Sequence, residues 1–276
     1  MIMNRRDTER NHTYATEVFS YLNIFDIQGL LKEDDAYKCG VEAYQVADFN
    51  SIRFDLLKPQ EEKARFIFCA QLGVPYYIII TSEASGTYQI YDTVLSNGFI
   101  IYVLKYNFPK PDFIIWWRSQ QSFNQKKAMY NAGSRIAQSI IDNDLFSNLL
   151  AWGVNIDGFT LDSVSNKITS IIEKRICTYK PPYTVDNYDP NRFFNGTANR
   201  SGDFPSWNIL FQLSKKLNIS LLLFTFDTSN NSRIGVAKIL GVNEQSGLIY
   251  LNDKKPFELI INNNYETLKQ IVKAMI

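Results

Sequence analysis

Tyr44–Asp55, YQVADFNSIRFD, returns in altered form as Tyr183–Phe194, YTVDNYDPNRFF, with Tyr, Val, Arg and Phe in the same four slots. The segments downstream of the two copies also correspond. Leu72-Gly73-Val74-Pro75 and the β-prone run Tyr76 to Ile80 answer Leu217-Asn218-Ile219-Ser220 and Leu221 to Phe226, and Gly98 to Tyr102 answers Gly247 to Tyr250. A repeat of this length and order predicts two related α/β lobes, each a mixed central sheet flanked by helices. The boundary is placed near residue 125, giving lobes 1–125 and 126–276.

Working outward, Thr8 to Leu22 carries Ala15, Val18, Phe19 and Leu22 on one helical stripe. Ile24 to Leu31 and Lys38 to Phe49 are predicted strands around the acidic turn Glu33-Asp34-Asp35. Pro59 to Leu72 is a predicted helix, with proline at its start, Glu61 and Glu62 in its first turn and Gly73 just beyond its end. Tyr76 to Thr81, Tyr88 to Val94 and Phe99 to Leu104 read as strands, and Pro109, Pro111 and Phe113 to Trp117 close the lobe. Ser122 to Lys127 is a connector or the start of a linking helix. In the second lobe, Arg135 to Trp152 and Ser163 to Arg175 have helical apolar spacing. Tyr183-Thr184-Val185 is a short predicted strand inside a long loop from Lys180 to Pro205. Ser206 to Leu217 is a helix, Leu221 to Thr225, Ile234 to Leu240 and Leu248 to Leu251 are strands, and Tyr265 to Met275 is a closing helix.

Composition excludes several classes. At 276 residues, with 45% hydrophobic and 21% charged residues, the chain is an ordinary globular protein, neither fibrous nor disordered. The net charge of +1 means that any nucleic-acid site must be a local basic patch. Three scattered cysteines, Cys39, Cys69 and Cys177, suit buried apolar positions in a reducing compartment better than a disulfide framework. No apolar run approaches the roughly 20 residues that span a bilayer, so a soluble cytoplasmic protein is expected. With His12 the single histidine, hydrolase triads have no motif, and neither GxxxxGK[ST] nor GxGxxG occurs. The Asn-x-Ser/Thr triplets at Asn11, Asn195, Asn199, Asn218 and Asn230 are what an asparagine-rich chain produces by accident.

The order of residues 8–95, a helix, two acid-bearing strands, a helix and a further strand, resembles the core of the PD-(D/E)xK nuclease superfamily, which includes many restriction endonucleases. The resemblance implies a restriction-endonuclease-like fold and a Mg²⁺- or Mn²⁺-dependent endonuclease acting on DNA. It implies Asp26 (FDIQG) and Glu42 (VEAYQ) as metal ligands, two hard carboxylates converging on one cation. A lysine or glutamine normally stands two residues after the acid, but here Tyr44 does. Strand alternation places Gln45 on the opposite face, so it serves only through a bulge at Ala43 or Tyr44. Lys63, one turn into the next helix, is the second candidate for the basic role. The catalytic set expected is therefore Asp26, Glu42, Gln45 and Lys63.

In the second copy the letter match puts Pro181 at the place of Glu42, which predicts a degenerate lobe. Its acids Asp186, Asp189 and Asp203 read as turn formers. Both copies keep an arginine, Arg53 and Arg192, beside the pairs Asp48-Asn50 and Asn187-Asp189. That arrangement is either a structural arginine–carboxylate pair or a phosphate clamp. Trp116-Trp117-Arg118, Gln120-Gln121 and Lys126-Lys127 mix rings and cations as a nucleic-acid surface does, or pack the lobes together. Arg53, Arg65, Arg118 and Arg192 are the candidate DNA contacts. Enzymes of this kind usually act as dimers, so a homodimer is expected unless the paired lobes replace it. The alternative is a non-catalytic nucleic-acid-binding or assembly protein on the same duplicated scaffold. A small-molecule enzyme using a cleft between lobes is a third class, for which no residue selects a substrate.

Overall fold

The computed structural model describes residues 3–5, 13–121, 139–177, 184–196, 202–227, 233–251, 258–260 and 264–276. His12, Lys126, Lys127, Pro181 and Tyr183, and the connector at Ser122 to Lys127, lie outside the described residues. The fold is α/β with mixed sheet, and the chain divides into two compact units. The first takes Met1–Arg10 and Ile27–Asn155 and the second Asn11–Asp26 and Ile156–Ile276, so the first two residues of the strands Phe25–Glu33 and Val154–Leu161 each fall on the other side of the division from the rest of the strand. The sequence boundary near residue 125 falls inside the first unit.

In the first unit, β2 (Phe25–Glu33) and β3 (Ala36–Val46) form an antiparallel hairpin, with the short β1 (Asn4–Arg5) on the other side of β3. Helix α2 (Pro59–Leu72) carries the chain to β4 (Tyr76–Ser82), which lies parallel to β3. This helix keeps the limits its signals predict. Proline occupies its first turn, and Gly73 ends it in the left-handed conformation (φ 73°), where a side chain would be strained. β5 (Tyr88–Ser96) then pairs antiparallel with β4, and β6 (Phe99–Phe108) antiparallel with β5.

The residues after Pro109, read from sequence as a lobe closure, form helix α3 (Lys110–Ser119). A proline in the first turn gives up no intrahelical bond, so Pro111 starts this helix instead of breaking it. Phe113 stacks on Tyr88 with ring centroids 3.8 Å apart, and the Trp117 indole donates to the Ala151 carbonyl (3.0 Å). Helix α4 covers Ile140–Ser147, capped by Ser139, a shorter span than the predicted 135–152, of which 135–138 lie outside the described residues. Asp144, buried, accepts from Tyr88 and pairs with Lys110 (both 2.5 Å), which ties α4 to β5 and α3.

The second unit opens with α1 (Thr13–Tyr21) and runs through the same series of strands. β7 (Val154–Leu161) and β8 (Ile168–Cys177) are an antiparallel hairpin. Helix α5 (Phe204–Leu217) leads to β9 (Ser220–Asp227), parallel to β8, and β10 (Ile234–Asn243) and β11 (Gly247–Tyr250) come next, antiparallel. β12 (Glu258–Ile260) pairs with β10, and α6 (Tyr265–Met275) closes the unit. Its core gathers Tyr14, Val18, Leu222, Phe224, Phe226, Val236 and Leu268.

Two sequence expectations are corrected here. Ser163 to Arg175 is not a helix but a turn leading into β8. Asp162 accepts from the backbone of Val164 and Ser165, Asn166 adopts φ 53°, and the β-branched Ile168, Thr169, Ile171 and Ile172 favour an extended chain over the helix their spacing imitates. Thr184 and Val185 lie in a bend and turn, not a strand. Asp48 and Asp189 each accept from the backbone N–H two residues on, at the start of short 3₁₀ turns.

Gly40 faces α2 so closely that a Cβ there would overlap the Cys69 sulfur. Gly40→Ala is expected to cost about 1–3 kcal/mol by overpacking, read as a lowered midpoint in urea denaturation. All three cysteines are buried, and burial raises their thiols, Cys39 and Cys177 to about 12. An unfolded chain ionises its thiols nearer 9, so it releases protons first as pH rises. The stability these thiols supply is present below pH 9 and is lost as pH climbs from about 9 to about 12. Urea titrations at about pH 8 and about pH 10.5 should show the drop, and the native protein should resist thiol reagents at the lower pH.

Candidate active site

Strand register gives the two units positions that can be compared directly. In the first, Glu42 of β3 lies beside Ile78 of β4, five residues beyond the left-handed cap Gly73; in the second, Glu173 of β8 lies beside Leu223 of β9, five residues beyond the left-handed cap Asn218. Glu173 therefore occupies the position of Glu42. The hairpins agree: the Gln28 side chain accepts from the Ala43 N–H (2.8 Å), as the Asp157 carboxylate accepts from the Lys174 N–H (2.9 Å). Gln28, Glu42 and Tyr44 correspond to Asp157, Glu173 and Arg175. The match of Pro181 to Glu42 is thereby replaced.

The first unit's position is closed. Glu42 is fully buried, with one carboxylate oxygen held by Arg5 (Nε 2.7 Å, Nη2 2.5 Å) and the other by the Gln28 N–H (2.8 Å) and Arg65 Nε (3.6 Å). Arg65, also buried, reaches Glu62 (2.7 Å) and Glu61 (3.3 Å). Tyr76 donates to Glu62 at 2.8 Å and Tyr44 at 3.4 Å. Burial first, and the Glu62 and Glu42 carboxylates second, hold both phenols above their ordinary range, so they stay protonated donors. Two carboxylates, two guanidiniums and two phenols satisfy one another, and a divalent cation would have to displace a guanidinium to reach Glu42.

The other expected residues hold the following places. Asp26 lies on β2 two residues before Gln28, and Gln28 is the β2 residue that bonds Glu42. Gln45 donates to Glu83 (2.6 Å) and accepts from the Ile140 N–H (3.1 Å) at the start of α4, a structural duty. Lys63 is half-buried on α2. Arg53 forms an exposed bidentate pair with Asp55, not with Asp48. Arg118 touches the Asn148 carbonyl at 3.5 Å, and Arg192 lies on a 3₁₀ turn, exposed. Arg65, expected on a DNA surface, is in the buried cluster.

The second unit's position is built differently. Arg175 of β8 lies 2.9 Å from Glu173 and 3.4 Å from Asp203, which stands at the N-cap of α5, and its guanidinium lies over the Trp207 ring at 5.5 Å. Glu173, Arg175 and Asp203 keep 12%, 26% and 21% side-chain exposure, so solvent reaches all three. Burial alone would lower Arg175, but Glu173 first, then Tyr188, Asp203 and Asp157 outweigh it and hold the guanidinium ionised. Arg175 Nε and Trp207 Nε1 are buried donors with no acceptor among the described residues. Two acids stand on paired strands with a cation two residues after the second, side-chain types that elsewhere bind a divalent ion and an anionic group.

Sequence reading missed Asp157, Glu173 and Arg175 because it put Glu173 on a helix. The usable signal was the string ITSIIEKR, β-branched and ending in an acid two residues before an arginine, preceded by Asp157-Gly158. Among the described residues, no group of three or more His, Cys, Asp or Glu side chains is gathered as a metal cage, and no helix is long and apolar enough to cross a membrane. In comparisons with known proteins, no family model, no curated protein and no solved structure matches the chain.

Proposed function

We propose that the chain is a metal-dependent, restriction-endonuclease-like protein that hydrolyses DNA phosphodiester bonds at Asp157, Glu173 and Arg175, and that its two units descend from an internal duplication. The reading rests on one observation above the rest: Asp157 and Glu173 stand at corresponding places on paired strands, with Arg175 two residues beyond the glutamate. The common strand order of the units, with a helix before the parallel strand in each, supports the duplication. The first unit is then the copy without chemistry, the reverse of the assignment by letters.

Two carboxylates suit Mg²⁺ or Mn²⁺, which commonly completes its shell with water and substrate phosphate. Such an ion lowers the pKa of an attacking water and stabilises charge on the phosphate. Asp157 and Glu173 would hold it. Arg175 would bind a phosphate oxygen in place of the family's lysine, and Asp203 and Trp207 fix its guanidinium. The test is incubation of supercoiled and linear DNA with purified protein and Mg²⁺ or Mn²⁺. Nicking or cutting that EDTA stops, and that Asp157→Asn removes, is the expected result; equal cutting by the variant overturns it.

A non-catalytic nucleic-acid-binding role is the second reading, favoured by Arg175 itself. Its guanidinium already neutralises Glu173 and Asp203 and competes with any cation for them. DNA binding without cutting, and no thermal shift on Mg²⁺ titration, is the outcome that selects it.

A further inference from the structure

A second basic feature of the second unit lies at the far end of α5 from Arg175. A cavity of about 590 Å³ opens there, lined by Lys167 of the turn before β8, Lys215 in the last turn of α5 and Lys238 of β10. None of the three has a carboxylate partner among the described residues. The one acidic side chain lining the cavity, Asp162, spends a single oxygen on the Val164 and Ser165 N–H groups and the Ser165 hydroxyl, and the Ile276 main-chain oxygen, also at the cavity, accepts from the Ser220 hydroxyl. Lys215 also meets the negative end of the α5 dipole, but Lys167 and Lys238 come from other elements. Three like charges around one hollow repel one another unless an anion joins them.

We propose that this cavity is an anchoring site for the phosphate backbone of nucleic acid, remote from the reacting phosphate. The identity of its ligand rests on the proposed action on DNA. The aromatic side chain that lines it, Phe211, is covered by the Lys215 ammonium at 5.1 Å, which leaves no stacking platform for a base and favours backbone over nucleobase. Asp203, which holds Arg175, and Lys215 are both on α5; at about 1.5 Å per residue they stand about 18 Å apart along it. With about 3.4 Å per nucleotide along a duplex strand, the anchored phosphate is about five steps from the one at Arg175. One residue of each site belongs to the same helix, Asp203 at its N-cap and Lys215 in its last turn, and that helix sets their spacing.

The experiment is DNA-duplex binding by fluorescence anisotropy in EDTA, across a salt series, for wild type and a Lys167→Gln, Lys215→Gln, Lys238→Gln triple variant whose fold is checked by circular dichroism. Each lost phosphate contact lowers the slope of log K against log salt by about 0.9, so the triple variant should lose about 2.7. An unchanged slope overturns the anchor. Inorganic pyrophosphate is run alongside: a thermal shift that needs the lysines, with no DNA binding by wild type, also overturns the nucleic-acid assignment and points to a free phosphate ligand. Cutting is scored separately. A wild type that binds with the lysine-dependent slope but never cuts removes the hydrolytic reading and leaves the anchor in place.

Discussion

Replacing Arg65 with alanine is expected to remove roughly 3–5 kcal/mol of stability, the range for breaking a buried ion cluster by deleting one partner. Arg65 is 2% exposed and serves Glu62, Glu42 and Glu61 together. Its loss leaves Glu62, 1% exposed, with only tyrosine hydroxyls against a full negative charge, and leaves Glu42 to Arg5. Because a domain's whole stability is about 5–15 kcal/mol, the variant should unfold near or below ordinary working temperature. Arg53→Ala, which removes an exposed pair with Asp55, is the control and should leave the denaturation midpoint unmoved. A normal midpoint for Arg65→Ala would show that the cluster does not hold the first unit together.

If the proposed DNA cleavage is observed, Glu173→Gln should lower it by roughly 10³-fold or about 4 kcal/mol of transition-state stabilisation, because an amide oxygen carries no charge for a divalent ion. The substitution keeps shape, and Glu173 is partly exposed, so the thermal midpoint should move little. Glu42→Gln should do the opposite: it leaves Arg5 and Arg65 facing a neutral amide, lowers stability and spares cutting by whatever protein remains folded. Measuring kcat and unfolding midpoint on both variants separates a catalytic carboxylate from a structural one. Cutting lost with Glu42→Gln but kept with Glu173→Gln would return the chemistry to the first unit.

Local signals carried much of the fold. Proline, paired glutamates and a terminal glycine fix α2, and Tyr265–Met275 keeps to its helical period. The β8 segment was illegible because Val164, Ile168, Ile171 and Ile172 fit a helical spacing, and only the turn chemistry of Asp162 and Asn166 decides against it. That one misreading hid the candidate site, since an acid and a base two residues apart share a face on a strand and not on a helix. The letter match sets Tyr44 against Tyr183, whereas counting strand register from the two helix ends sets Tyr44 level with Arg175. Glu42 looked like a ligand because its competitors, Arg5 and Arg65, are distant in sequence and meet it only after folding.

The interlocked charges around Glu42 also act as a ratchet. Placing a lysine at Tyr44 would add a third cation beside Arg5 and Arg65 without releasing the carboxylate, while deleting Arg65 first would take the guanidinium from buried Glu62. No single substitution leads from this state to an open ligand without passing through a weakened protein. Opening Glu42 to a cation therefore calls for simultaneous replacement at several positions.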